Sequence, residues 1–158
     1  MRRYLIQKDD IKSRSWRLSA LNQELGDLDP VGGSPLRMPI VLLWLILTAR
    51  RPDAVIFRYL NDYESSAKTI LRLAAEFLTI KLAQLINCEV IWICHNVDQE
   101  TICFHPKLMR LRRTTVTKAA RRVFVLDPLL QEPAAQILGL PKERIGAISF
   151  GRIHDREI

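Results

Sequence analysis

A chain of 158 residues, 48% hydrophobic and 26% charged, has room for one domain with a real core, and its balance excludes a disordered tail. A net charge of +7 points to an anionic partner such as nucleic acid, acidic lipid head groups or a phosphorylated substrate, or else to a solvated basic face. Three cysteines, Cys88, Cys94 and Cys103, do not make a disulfide framework and suit a reducing compartment.

Along the chain, Met1-Arg2-Arg3 is followed by Asp9, Asp10 and Lys12 instead of an apolar leader, so the expectation is a cytoplasmic protein. Residues 1–33 read as an irregular or partial N-terminal segment ahead of a core over 34–158. Leu5-Ile6 is too short to assert a strand, and residues 27–33 read as a turn-rich loop. Gly32-Gly33-Ser34-Pro35 opens a helix that runs through Thr48. Its amides can receive a phosphate. No Walker lysine follows, and a plain loop capped by Ser34 is the simpler reading. The apolar run 39–49 spans about 16 Å as a helix, short of the roughly 30 Å hydrocarbon core of a bilayer. It reads as a core helix or as a surface helix dipping into a membrane interface.

Four runs rich in Val, Ile and aromatics then read as buried strands: residues 54–59, 89–94, 123–126 and 145–149. The first three recur at about 34 residues and the last follows after about 22, which suits strand–helix–strand units with parallel crossovers. Helices fill the gaps. In residues 65–86, Ile70, Leu73, Phe77, Ile80 and Leu85 fall close to one face, with Lys68, Arg72, Glu76 and Lys81 elsewhere. Ser65 or Ser66 caps its start and Asn87 stops it. Residues 106–120 form a strongly basic helix. Asp127-Pro128 opens a third one that Gly139 closes.

The strand at 89–94 stops abruptly at His95-Asn96, and loops leaving the carboxyl ends of strands are where open α/β sheets bind ligands. A neutral His95 can accept a proton or hydrogen-bond a hydroxyl. It can equally cap its own loop. Asp98 and Glu100 share that loop, as a base for a hydroxyl or as turn caps. Cys94, His95, Cys103 and His105 lack the spacing of a zinc site, and neighbours in a strand point to opposite faces, so no metal is expected. Lys107, Arg110, Arg112, Arg113, Lys118, Arg121 and Arg122 form a basic set suited to an anionic surface or a diphosphate. No nucleic-acid-binding motif accompanies it.

Several of these segments together resemble the N-terminal domain of GT-B glycosyltransferases, of the family 4-like kind. Arg51-Pro52-Asp53-Ala54-Val55-Ile56 looks like the entry to that domain's second or third strand. His95-Asn96 with Glu100 is similar to its "HN" loop. Ala119-Ala120-Arg121-Arg122-Val123-Phe124-Val125 resembles its "A-D-R-V-I-V" strand. Glu143-Arg144-Ile145-Gly146-Ala147-Ile148-Ser149-Phe150-Gly151 resembles its "E-R-I-x-V-I-P-H-G" strand and turn, without the histidine. The likeness covers roughly residues 50–151. It implies an α/β, Rossmann-like three-layer domain with a mostly parallel sheet of at least four strands. It also implies a truncated or split acceptor-side half, inactive without a donor-binding domain or chain. A nucleotide sugar would be the donor, and a glycan or lipid-linked molecule the acceptor in polysaccharide biosynthesis. His95, Asp98 and Glu100 would face the cleft as catalytic candidates, with Asn96 and Gly151 contacting substrate. The alternative expectation is a non-catalytic basic module that binds an anionic membrane, at its inner face, or a protein partner.

Overall fold

The computed structural model describes residues 2–7, 28–33, 36–58, 64–94 and 104–148. The strands among them are β1 (Arg2–Gln7), β2 (Leu28–Gly33), β3 (Ala54–Phe57), β4 (Glu89–Cys94), β5 (Arg122–Val125) and β6 (Ile145–Ala147). They form one sheet of six strands in the order β2-β1-β3-β4-β5-β6. Every neighbouring pair is parallel. The helices are α1 (Met38–Leu47), α2 (Ser66–Leu85), α3 (Pro106–Ala119) and α4 (Gln131–Leu138). The chain is thus a Rossmann-like α/β domain, with a sheet larger than the four strands the sequence marks out.

The sheet is buried on both faces, as an all-parallel sheet must be. Leu5, Val55, Phe57, Val90, Trp92, Val123 and Val125 point to one side. Tyr4, Ile6, Ala54, Ile56, Ile91, Ile93 and Phe124 form a separate cluster. All four helices add buried residues to the first cluster: Met38 and Leu42, Ile80 and Ala83, Val116, and Ala134. Handedness explains this. From β2 to β6 every crossover moves the same way across the sheet, the first of them passing over β1, so right-handed connections deliver all four helices to one face.

Two N-terminal expectations are corrected. Leu5-Ile6 lies inside β1, which pairs with both β2 and β3. The supposed loop at 28–33 is β2, a strand reading Leu-Asp-Pro-Val-Gly-Gly. Its Pro and Gly argue against a strand by propensity, but β2 is an edge strand, where proline is tolerated. Gly32 and Gly33 therefore end a strand. The first helix begins at Met38 with Pro39 in its first turn, later than expected; Ser34 and Pro35 lie outside the described residues.

Helix ends follow local chemistry closely. Ser65 Oγ accepts from the Lys68 amide at 3.5 Å, and Asp127 Oδ1 accepts from the Leu129 amide at 2.9 Å. The segment after Asp127 starts as a single 3-10 turn, Pro128–Leu130, before α4. Asn87 (φ 53°) and Gly139 (φ 64°) end α2 and α4 in the left-handed region. Ala49 does the same after α1 with φ 55°, where a Cβ is unfavourable.

The largest correction concerns α2. Its buried residues are Thr69, Arg72, Ala75, Glu76, Thr79, Ile80 and Ala83. Ile70, Phe77 and Leu85, assigned by their spacing to the core face, are exposed, together with Leu71 and Leu78. The helix is turned by roughly a third of a revolution from the expected orientation. Two features account for the turn. The inward face carries the small residues Thr69, Ala75, Thr79 and Ala83, and Thr79 Oγ1 donates back to the Ala75 carbonyl at 2.7 Å. It also carries Glu76, which Arg112 of α3 grips with both arms: Nη2 to Oε1 at 2.6 Å and Nε to Oε2 at 2.9 Å. Arg72 Nε lies 3.5 Å from the same carboxylate.

Candidate functional site

The strand order reverses at β1. The chain first steps from β1 to β2 and then crosses back to β3 on the other side. In such sheets the ligand crevice lies outside the carboxyl ends, at this switch point. Gln7 ends β1 there, and Arg58 follows the last residue of β3. Both are buried, and Gln7 Oε1 accepts the Arg58 backbone N–H at 2.8 Å. The amide of Gln7 therefore fixes where the chain leaves β3. Sequence reasoning missed this pair because it did not assert β1. The available signal was a polar Gln closing the run Tyr4-Leu5-Ile6.

The same edge collects helix starts. A parallel β–α–β unit returns each helix from the carboxyl edge, so α2 and α3 begin there. His105 Nε2 lies 3.1 Å from the Glu64 carbonyl and ties the two starts together. A carbonyl only accepts, so Nε2 carries the hydrogen. β4 ends on buried Cys94, the residue before His95. His95, Asn96, Asp98, Glu100 and Gly151, as well as Cys103, lie outside the described residues. Among the described residues, no group of His, Cys, Asp or Glu has an arrangement that holds a metal ion.

The basic set divides. Lys107, Arg110, Lys118 and Arg121 are exposed. Arg113 is half-buried, its guanidinium 5.6 Å from the Trp92 ring centroid, a cation–π contact. Arg112 is a correction. It is fully buried against Glu76 and cannot meet an anionic surface. Arg122 is committed to Glu89 across β4 and β5, with Nε–Oε1 2.6 Å and Nη2–Oε2 3.1 Å, and acts as a strand clamp.

A cavity of about 480 Å³ opens at the opposite, amino edge, lined by Tyr4, Asp53, Asn87, Cys88, Glu89 and Arg121 among others. Its two carboxylates are engaged in holding the edge together. Asp53 Oδ2 accepts the Arg3 amide at 2.9 Å, and Glu89 is held by Arg122. Arg144 Nη2 donates to the Ala120 carbonyl close by. Burial pushes the Cys88 thiol up to about 12, with Asp53 and Glu89 adding to the rise and Arg51 opposing it. A thiol so held is neutral near pH 7 and makes a poor nucleophile. The cavity is thus a structural feature at the end of the strands where such sheets do not bind ligands.

No family model matches the chain, and no curated protein matches it in sequence. Function therefore has to be argued from the site. Among the described residues, no helix is long and apolar enough to cross a membrane.

Proposed function

We propose that this chain is the N-terminal, acceptor-side domain of a GT-B-like glycosyltransferase. One observation carries the reading. Over their described residues, the segments that resemble the family's motifs fall on four adjacent parallel strands, β3-β4-β5-β6, in the order in which they follow along the chain. In a parallel sheet the carboxyl ends of these four strands lie along one edge, beside the switch point at β1 and β3. On this reading a nucleotide-sugar donor is held by a separate domain or chain. The acceptor hydroxyl loses its proton to His95, or to Asp98 or Glu100. Its oxygen then bonds to the anomeric carbon as the nucleotide leaves with the electron pair. The free thiols of Cys88 and Cys94 fit a cytoplasmic setting.

The test is titration of the isotopically labelled chain with glycan and lipid-phosphate acceptor analogues. Amide shifts at Gln7, Arg58, Cys94 and Val125 are expected, weakened in His95→Ala. Shifts confined to Asp53, Asn87 and Glu89 at the amino edge contradict the reading. The chain alone is expected to show little or no transferase turnover with nucleotide sugars, and robust turnover contradicts that part.

A second reading has its own support. The exposed Lys107, Arg110, Lys118 and Arg121 suit a non-catalytic module that binds an anionic membrane or a protein partner.

A further inference from the structure

The turn of α2 leaves an apolar stripe outward: Ile70, Leu71, Phe77, Leu78 and Leu85 are each at least half exposed. Helix α1 packs beside α2 and repeats the pattern. Its Met38, Leu42 and Leu45 face the core, while Ile40 (69% exposed), Leu43, Trp44 and Leu47 (77% exposed) face away. Two neighbouring helices on one side of the sheet thus present apolar side chains together. Patches of this kind mark interaction surfaces.

The charges around the patch identify what covers it. Neither helix presents an acidic side chain, because Glu76, the one acid in the two, is buried. The exposed charges on and next to them are mostly basic, Arg37, Arg50, Arg51, Lys68 and Lys81, against the acids Asp53 and Glu64 at the helix ends. Two of these lie over the exposed aromatics: Arg50 is 5.8 Å from the Trp44 ring centroid and Lys81 is 5.3 Å from that of Phe77. Aromatic rings with long basic side chains beside them suit the boundary between lipid tails and head groups, where the stems lie in apolar surroundings and the charges reach phosphate. A two-fold dimer would set this predominantly basic patch against a second copy of the same basic patch. Helix α3, packed on the far side of α2, adds exposed Lys107, Arg110 and Lys118.

We infer that the outer faces of α1 and α2 form a docking surface for an anionic lipid bilayer, with apolar side chains entering the head-group boundary and the surrounding arginines and lysines pairing with lipid phosphates. The inference rests on helix packing and stands independently of any transferase chemistry at the carboxyl edge.

Co-sedimentation with vesicles of equal parts phosphatidylglycerol and phosphatidylcholine tests it, alongside vesicles of phosphatidylcholine alone. Binding to the anionic vesicles is expected, weakening as salt rises. The double variant Trp44→Ser/Phe77→Ser is expected to bind at least about tenfold more weakly, and Lys81→Gln about fivefold more weakly. Both retain the native circular dichroism because all three side chains are solvent-facing. Leu129→Ser, which removes an exposed leucine outside the patch, leaves binding unchanged. Three results overturn the inference: no vesicle binding by the folded protein, equal binding by the double variant, or a concentration-dependent dimer, by sedimentation velocity, that the double variant abolishes.

Discussion

Helices α2 and α4 lie on the same face of the sheet and solve the packing problem in opposite ways. Helix α4 buries Ala134 and leaves Glu132 and Gln136 in water, as an amphipathic helix should. Helix α2 buries Arg72 and Glu76 and leaves Phe77 and Leu78 in water. Taking an ion out of water costs several kcal/mol even after relaxation, and each large apolar side chain left outside forgoes about 1.5–3 kcal/mol. The two-armed Arg112–Glu76 pair offsets the first cost within the chain. The second is not offset among the described residues, so α2 keeps a large apolar face in water.

The sharpest break in that contrast is Glu76→Ala. Removing the carboxylate strands Arg112 and Arg72 without their shared acceptor, and the expected loss is about 3–5 kcal/mol in urea unfolding. Replacing all three together, as Arg72→Met, Glu76→Leu and Arg112→Met, is expected to be neutral or stabilising, because no charge of this buried cluster remains.

Cys88 provides an alkaline test of the amino edge. An ordinary thiol titrates near 9.0, and the folded one is pushed up to about 12. Above 9.0 the unfolded chain gives up its thiol proton while the folded one keeps it, so the folded state binds more protons and stability falls as pH rises toward 12. Cys88→Ala is expected to flatten that part of the stability profile measured by urea titration. A smaller effect is expected at Ala49, held at φ 55°. Ala49→Gly should raise stability by about 1 kcal/mol, read as a higher melting temperature.

The strands β3 to β6 were legible within one or two residues, because Val- and Ile-rich runs bounded by polar residues have few alternatives. The caps at Ser65, Asp127, Asn87 and Gly139 were legible for the same local reason. β2 was not, since its Pro-Val-Gly-Gly sequence is held as a strand by β1 and not by its own propensity. Missing β1 also hid Gln7 and Arg58, the buried pair at the switch point. The turn of α2 was illegible because its sequence carries apolar residues on more than one arc. The choice between arcs depends on Arg112, 36 residues further along the chain. The His95 loop was legible only as the end of a strand, and its side chains lie outside the described residues.

The orientation of α2 underlies both the buried ion pair and the exposed apolar face. It is tested most directly by comparing two neighbouring substitutions, Glu76→Ala and Phe77→Ser, in the same urea unfolding experiment. With Glu76 inward and Phe77 outward, Glu76→Ala loses about 3–5 kcal/mol while Phe77→Ser stays within about 0.5 kcal/mol of the parent. The reverse ranking, with Phe77→Ser severely destabilised and Glu76→Ala nearly silent, would contradict the account.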